Sequence, residues 1–370
     1  GGTAEATATE TDQGDAQPDV HQQPVGDLVD PVEIEAGLWA PVEQYALIES
    51  ALAAYEQVSP TALRREIAEL YRRFNEVARS NPDAAFPEPM TAEQLATFSS
   101  TNRPLAFPYA KWHASQWTVD QASAVLLCTT AAADRFGVPV DRRVHPLVGL
   151  SSSHMAPVSR RRCLHRWPAM HVLGTAASAR LGHRAADCQH VELYSCFPSA
   201  VRVQQRELGI DEDRTPTFTG GMSFAGGPFN SYVLQSMAAV VERLREEGGR
   251  ALVTSVSGLL TKPGLGVWSG EPDGAPPLLG DLATTAAAET EMVPVMASHD
   301  GVARVAACTV TYEGLDPTAL VALLDTPDGA RVIARSSDAA LMDRAMTEGL
   351  VGTDLHVVGG VVHDAAGDGP

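Results

Sequence analysis

The feature that most constrains this chain is an alternation of short apolar runs with helix-length stretches between residues 123 and 269. Ser123-Ala-Val-Leu-Leu-Cys-Thr129 is an apolar run bounded by polar residues, the pattern of a strand covered on both faces. A helix through about Phe136, closed by Gly137, is expected next. Further strands are expected at 143–150, 189–194, 251–256 and 264–269, with helices at 169–181, 197–208 and 231–247. The order βαβαβαββ predicts an α/β layered domain with a mostly parallel sheet.

The flanks carry other patterns. Tyr45, Ile48, Leu52 and Tyr55 recur at helical steps, and Ser59-Pro60 supplies an N-cap followed by proline at the first helical position. Leu63, Ile67, Leu70, Tyr71, Phe74 and Val77 form one stripe of a second helix, which ends at Asn81-Pro82; a proline-rich stretch runs on to Tyr109. After Ser269, a Gly/Pro/Asp-rich linker reaches about Gly280. Strands are then expected at 302–312, 318–324, 330–334 and 355–358, with a helix at 339–346 and turns at Asp300-Gly301 and Asp328-Gly329, which together predict a small barrel-like addition.

Composition narrows the function. The net charge of −19 opposes binding to phosphate backbones or anionic membranes, so no nucleic-acid partner is expected. Acidity is concentrated early: no basic residue precedes Arg64, and the region from Thr7 to about Asp30 has the makeup of a solvated segment. No apolar run approaches a membrane span, and the start, Gly1-Gly2-Thr3-Ala4-Glu5, has neither Met nor the basic and apolar parts of a signal peptide. Cys128, Cys163, Cys188, Cys196 and Cys308 include no C-x-x-C pair and no zinc spacing, and the histidines show no ligand spacing, so no metal site and a reduced, cytoplasmic compartment are expected.

Four segments could carry chemistry. Ser151-Ser152-Ser153-His154 sets hydroxyls beside a base, but outside any nucleophile elbow. Arg160-Arg161-Arg162, with Arg166, is either a phosphate fork or a solvated face. Thr219-Gly-Gly-Met-Ser-Phe-Ala-Gly-Gly-Pro228 could bring backbone close to a ligand ahead of a helix, or form a tight turn packing helix on sheet. Glu192-Leu-Tyr-Ser-Cys-Phe-Pro-Ser199 falls where a strand ends and a helix begins, the usual ligand side of an open α/β sheet. There Tyr194 could give or take a proton, and Cys196 could be a thiolate nucleophile or core filling.

Taken in order, these residues resemble the thiolase superfamily. Thr118-Val-Asp-Gln-Ala-Ser-Ala-Val-Leu-Leu127 is similar to the segment that opens the second half of a thiolase. Tyr194-Ser-Cys-Phe197 stands where thiolases have N-E-A-F, Gly226-Gly227-Pro228 where they have G-H-P, and the run from Val256 to Ser269 where their last strands carry a second Cys loop. The nearest resemblance is to actinobacterial thiolase-like proteins of the acetyl-CoA acetyltransferase type, which carry L-Y-S-C-F-P-S-A-V, T-G-G-x-x-F-A-G-G-P and L-T-K-H-x-x-G-V-Y-S and have an OB-like C-terminal domain. It is strongest from Asn102 to Ser269. Both lysines fall within matching motifs, Lys111 in Pro108-Tyr-Ala-Lys111 and Lys262 in Leu260-Thr-Lys-Pro263. The chain also departs from the pattern: the G-H-P His is Gly227, the N-E-A-F Asn is Tyr194, the final loop has no Cys, and T-K-H has become Thr261-Lys262-Pro263.

The resemblance implies a thiolase-like layered fold with a small OB-like barrel. Residues 1–6 would end a first thiolase half, 7–117 would form an acidic loop and helical insert, 118–275 the second half, and 276–370 the barrel. It also implies that a preceding segment with the nucleophile's strand and helix is absent, which would leave the 197–208 helix with an exposed apolar face. The expected activity is acyl transfer on acyl-CoA thioesters, in lipid or sterol side-chain metabolism, with CoA as part of the substrate and no permanently bound cofactor. Tyr194 and Cys196 would be catalytic. Gly220, Gly221, Gly226 and Gly227 would hold the thioester carbonyl, and Arg103, Lys111 and Lys262 would meet CoA. The alternatives are a non-catalytic acyl-CoA or lipid-binding subunit, or a retro-aldolase of the lipid-transfer-protein type using Tyr194. A homodimer or hetero-complex is expected of the complete protein.

Overall fold

A computed structural model describes residues 23–38, 40–228 and 231–364. The expected end of a first half at residues 1–6 and most of the early acidic stretch lie outside the described residues.

The central sheet has five strands in the order His190–Glu192, Arg250–Ser257, Lys262–Ser269, His145–Ser151, Leu278–Asp281. Side chains of Arg250–Ser257 alternate between two cores. Ala251 and Val253 meet Met237, Val240 and Leu244 of the helix Tyr232–Glu247, while Leu252 faces the larger core with Met170, Leu173 and Ala177 of the helix Pro168–Leu181. Helices therefore cover both faces, as a layered α/β unit requires.

Two expectations about this sheet are corrected. The sheet is evenly mixed rather than mostly parallel: the two outer pairings are parallel and the two inner ones antiparallel. One antiparallel pairing follows from the short link between Ser257 and Lys262, which pair directly, because a parallel return would need a crossover of a dozen or more residues. Ser123–Thr129 forms no strand; Leu126 and Leu127 are 88% and 74% exposed. The place beside Lys262–Ser269 is taken by His145–Ser151, and Leu278–Asp281 flanks that strand on its other side. The sheet thus draws a strand from beyond residue 275, where the sequence suggests that the layered half ends.

The helix Pro198–Leu208 does not expose its apolar face. Ala200, Val201, Val203 and Leu208 are buried between the helices Pro168–Leu181 and Pro41–Tyr55. Tyr45 stacks on Phe197 with centroids 4.6 Å apart. Buried Glu49 accepts from the Tyr109 hydroxyl at 2.7 Å and pairs with Arg202. The helical pair Pro41–Tyr55 and Pro60–Ala78, legible from its periodicity, therefore supplies the cover.

In the C-terminal part, Gly301–Glu313 pairs antiparallel with Asp316–Asp325, which pairs with Arg331–Ser336. Arg331–Ser336 touches Val361–Asp364 in parallel; Val361–Asp364 pairs with Asp354–Val358, which returns to Gly301–Glu313 and closes a ring. Val305, Val310, Leu320, Leu324, Val332, Leu355 and Val357 fill its inside, with Leu341 and Met342 of the helix Ala339–Thr347. Ala307, Val321, Leu323 and Ile333 belong instead to the main core, which docks the ring on the layered unit. The short strands Pro104–Ala106 and Tyr109–Ala110 extend the ring's sheet. Among the described residues, no helix is long and apolar enough to cross a membrane.

Candidate functional site

The strand His190–Glu192 ends in a buried carboxylate. Glu192 is 0% exposed and accepts from Thr217 Oγ1 at 2.8 Å, Phe218 N at 2.8 Å, Thr219 N at 3.1 Å, Thr219 Oγ1 at 2.9 Å and the Tyr232 hydroxyl at 2.6 Å. Burial raises its pKa, while these donors pull it back down. Glu192 thereby ties the start of the glycine-rich segment and the first turn of Tyr232–Glu247 to the sheet.

Tyr194 follows two residues later and is half-buried. Its N–H donates to Thr254 Oγ1 at 3.0 Å, its carbonyl accepts from Gln204 Nε2 at 2.9 Å, and its ring meets Tyr232 edge-on with centroids 5.7 Å apart. Burial raises its hydroxyl pKa well above the usual range, with a contribution from nearby Cys196, so it is protonated at neutral pH. Cys196 is hydrogen-bonded to the Tyr45 hydroxyl, and burial pushes its thiol up to about 12, which leaves it a thiol rather than a thiolate. Tyr45 in turn feels Cys196, Tyr194 and Arg161 electrostatically. The structure thus gathers Tyr194, Cys196 and Tyr45, with Arg161 acting on Tyr45 through its charge; of these, Tyr45 was not singled out in the sequence as a site residue.

The glycine-rich segment is held by its own contacts. The N–H groups of Gly220 and Gly221 donate to Thr217 Oγ1 at 3.0 Å and Thr219 Oγ1 at 3.3 Å, that of Met222 to Ser195 Oγ at 2.9 Å, and that of Gly227 to the Gln116 carbonyl at 2.9 Å. Gly220 has φ +104, and a Cβ there would lie 2.6 Å from Ala78 Cα; at Gly221 it would lie 2.5 Å from the Phe74 ring. At Gly226 and Gly227 the obstacles are Gln121 and Ser115. These glycines permit close packing against the helix Pro60–Ala78 and the 114–121 segment.

Of the three candidate CoA-binding cations, Arg103 and Lys111 are joined through their backbones. Arg103 is exposed, and its carbonyl accepts from Lys111 N at 2.9 Å. Lys111 places Nζ 4.5 Å from the Trp112 ring centroid, and Trp112 stacks on Phe224 of the glycine-rich segment. Lys262 instead opens its strand beside the turn Gly258-Leu259-Leu260. That turn has positive φ at all three residues, 64°, 55° and 61°, a strained conformation for the two leucines.

The arginine run does not form a fork. Arg160 pairs with Asp30 at 2.5 Å and Arg162 with Glu291 at 3.3 Å, whereas Arg161 turns inward to backbone carbonyls. Arg166 is held by buried Glu207 at 2.6 Å. In the serine run, Ser152 Oγ accepts from the backbone N–H of His154 at 3.3 Å, and no serine bonds to the imidazole among the described residues. The same residues contain no group of His, Cys, Asp and Glu able to hold a metal.

A cavity of about 310 Å³ lies beneath the strained turn, lined by His154, Arg161, Cys163, Trp167, Leu260 and Thr261 among others, with Glu289 and Glu291 at its edge. Only the arginine run and His154 pointed towards it in the sequence, because its walls come from three distant segments. A larger groove of about 740 Å³ runs between Asn81–Asp83, Asp120–Ala124 and the helix Tyr232–Glu247, and is lined by the acidic groups Asp83, Asp120, Glu242 and Glu246.

No family model matches the chain, and no curated protein matches it. Among solved structures, it is similar to a monomeric SCP2-thiolase like protein type 1 from Mycobacterium smegmatis, at 27% identity and TM-score 0.80, over 90% of this chain and 74% of that one. It also matches human mitochondrial 3-ketoacyl-CoA thiolase in complex with CoA (17% identity, TM-score 0.47, 66% of this chain and 61% of that one) and an Ltp2-ChsH2(DUF35) aldolase (16%, 0.49, 64% and 66%). The chain has a thiolase-like α/β fold.

Proposed function

We propose that this chain is a thiolase-fold protein that binds acyl-CoA thioesters and does not run thiolate-based condensation. The observation that carries the reading is the likeness to the SCP2-thiolase like protein over 90% of the chain. Its chemistry follows from the site: Cys196 is held as a buried thiol, and four backbone N–H groups of the glycine-rich segment are already spent inside the protein. Arg103, Lys111 and Lys262 are the cations offered to CoA phosphates. An OB-like character for the C-terminal ring, assembly with a second copy or another subunit, and a cytoplasmic setting belong to the same reading.

Calorimetric titration with acetyl-CoA and longer acyl-CoAs tests it. Saturable binding without CoA release above the uncatalysed rate is expected; absence of binding at millimolar ligand overturns it.

A second reading, acyl-CoA chemistry with Tyr194 as acid and base, draws support from the place of Tyr194 at the carboxyl end of a strand, with its ring against Glu192-bonded Tyr232. Under this reading, CoA release or retro-aldol cleavage is measurable and falls at least tenfold in Tyr194→Phe. Equal rates in the variant and its parent remove Tyr194 from the mechanism.

A further inference from the structure

The cavity under the turn 258–260 has a wall whose polar groups are not all paired. Arg161 is 4% exposed, and its guanidinium meets only backbone carbonyls: Ala156 at 3.0 Å, Leu260 at 3.4 Å and Gly258 at 3.5 Å. No carboxylate forms an ion pair with it among the described residues. Glu33 acts on it from farther away, and both its oxygens are engaged, by Ser159 N–H at 2.6 Å and Asp30 N–H at 3.1 Å. Trp167 lines the same cavity at 1% exposure, and its indole Nε1 has no hydrogen-bond partner; His154 Nε2 has none either.

Buried donors without an acceptor and a buried cation without a counter-charge are costly, and a ligand carboxylate oxygen reduces that cost. The other charges on the wall are either ion-paired or exposed to water. Arg166 is bonded to Glu207, Glu291 to Arg162, and both Glu289 and Glu291 stand exposed at the edge, where water screens them. Arg161 is therefore the buried charge on this wall that has no ion-pair partner among the described residues. The volume of about 310 Å³ is at the small end of ligand pockets.

We propose that this cavity binds a small organic carboxylate, whose oxygens accept from the Arg161 guanidinium and the Trp167 indole N–H, with His154 donating through Nε2. Tyr194 does not line this cavity, and the proposal does not depend on the acyl-CoA reading.

The protein carries a reporter and its control. Cys163 and Cys128 are both exposed, but only Cys163 lines the cavity. Alkylation by iodoacetamide, followed for each cysteine by peptide mass spectrometry, reads occupancy directly. Propionate or butyrate is expected to slow Cys163 several-fold with saturation and to leave Cys128 unchanged. Propionamide, of similar shape but uncharged, and chloride at equal ionic strength are expected not to protect. In Trp167→Phe, with folding checked by circular dichroism, the half-saturating concentration rises several-fold. The proposal is overturned if carboxylates slow the two cysteines equally or not at all, if propionamide or chloride protects as well, or if folded Trp167→Phe keeps the parent's half-saturation.

Discussion

Glu192 and Arg161 are both buried charges near the ends of neighbouring strands, yet their surroundings differ in kind. Around Glu192, five donors converge on one carboxylate and the whole segment 217–222 is bonded to itself or to Ser195. Around Arg161, the partners are a few carbonyls, two of them at 3.4–3.5 Å, and the adjoining Trp167 and His154 leave nitrogens unpaired beside a cavity. A saturated buried charge holds a fold together, whereas an unsaturated one next to open volume is where a ligand gains most. An unpaired nitrogen alone is not sufficient: His113 Nε2 is also unpartnered, but His113 lines none of the cavities described above and packs edge-on against Tyr71.

The contrast can be broken most directly at Glu192. Glu192→Ala strands five donors and should lower unfolding free energy by about 3 kcal/mol or more, read from the urea midpoint. A loss below about 0.5 kcal/mol would show that the segment is not held as described. Next comes Gly220→Ala, where a positive φ and the backbone of Ala78 leave no room for a methyl group; about 2–3 kcal/mol should be lost. Gly137→Ala, with φ +66 and nothing near its would-be Cβ, should cost only about 1 kcal/mol, so the difference between the two isolates the close approach.

An effect that is absent at neutral pH and grows only on acidification is expected at His113, whose pKa burial lowers to about 3, with Arg64 adding to the shift. In the unfolded chain it titrates near ~6.5. Between those values the unfolded state takes up a proton that the folded state refuses. Stability from this group is therefore complete above about 6.5 and falls by up to ~1.4 kcal/mol per unit as pH drops towards 3. His113→Gln should flatten that slope in pH-dependent denaturation curves, and an unchanged slope would place the effect elsewhere.

The smallest change is expected from Leu126→Ser. At 88% exposure, it should shift stability by no more than about 0.5 kcal/mol. A loss of 2 kcal/mol or more would instead fit the covered strand that the apolar run 123–129 suggests.

Much of the fold was legible in the residues. Tyr45, Ile48 and Leu52 at helical spacing, Ser59-Pro60 as a helix start, and Gly137, Gly182 and Gly209 in left-handed conformations at helix ends all mark local boundaries by local chemistry. The strands of the C-terminal ring were equally clear from alternation and from Asp-Gly turns, apart from Val361–Asp364. The apolar run 123–129 misled because a composition suited to a covered strand does not supply the cover. At the site, Tyr194 and Cys196 stood out by their place at a strand end and Arg161 as part of an arginine run, but Tyr45 did not, and nothing local marked what Glu192 and Arg161 would bind. Their roles depend on partners such as Thr219, Cys196 and Leu260 that lie far along the chain.

The sequence by itself determined most helix boundaries and many strand boundaries, and where glycine must stand, because periodicity, capping and allowed φ act over a few residues. Tertiary structure alone decided that the sheet is mixed, that the helical pair covers Pro198–Leu208, that Cys196 is a buried thiol, and that Arg161 faces a cavity without a carboxylate partner. Each of those depends on burial and pairing between distant segments, and desolvation, which sets the state of a charge or a thiol, exists only once those segments have met.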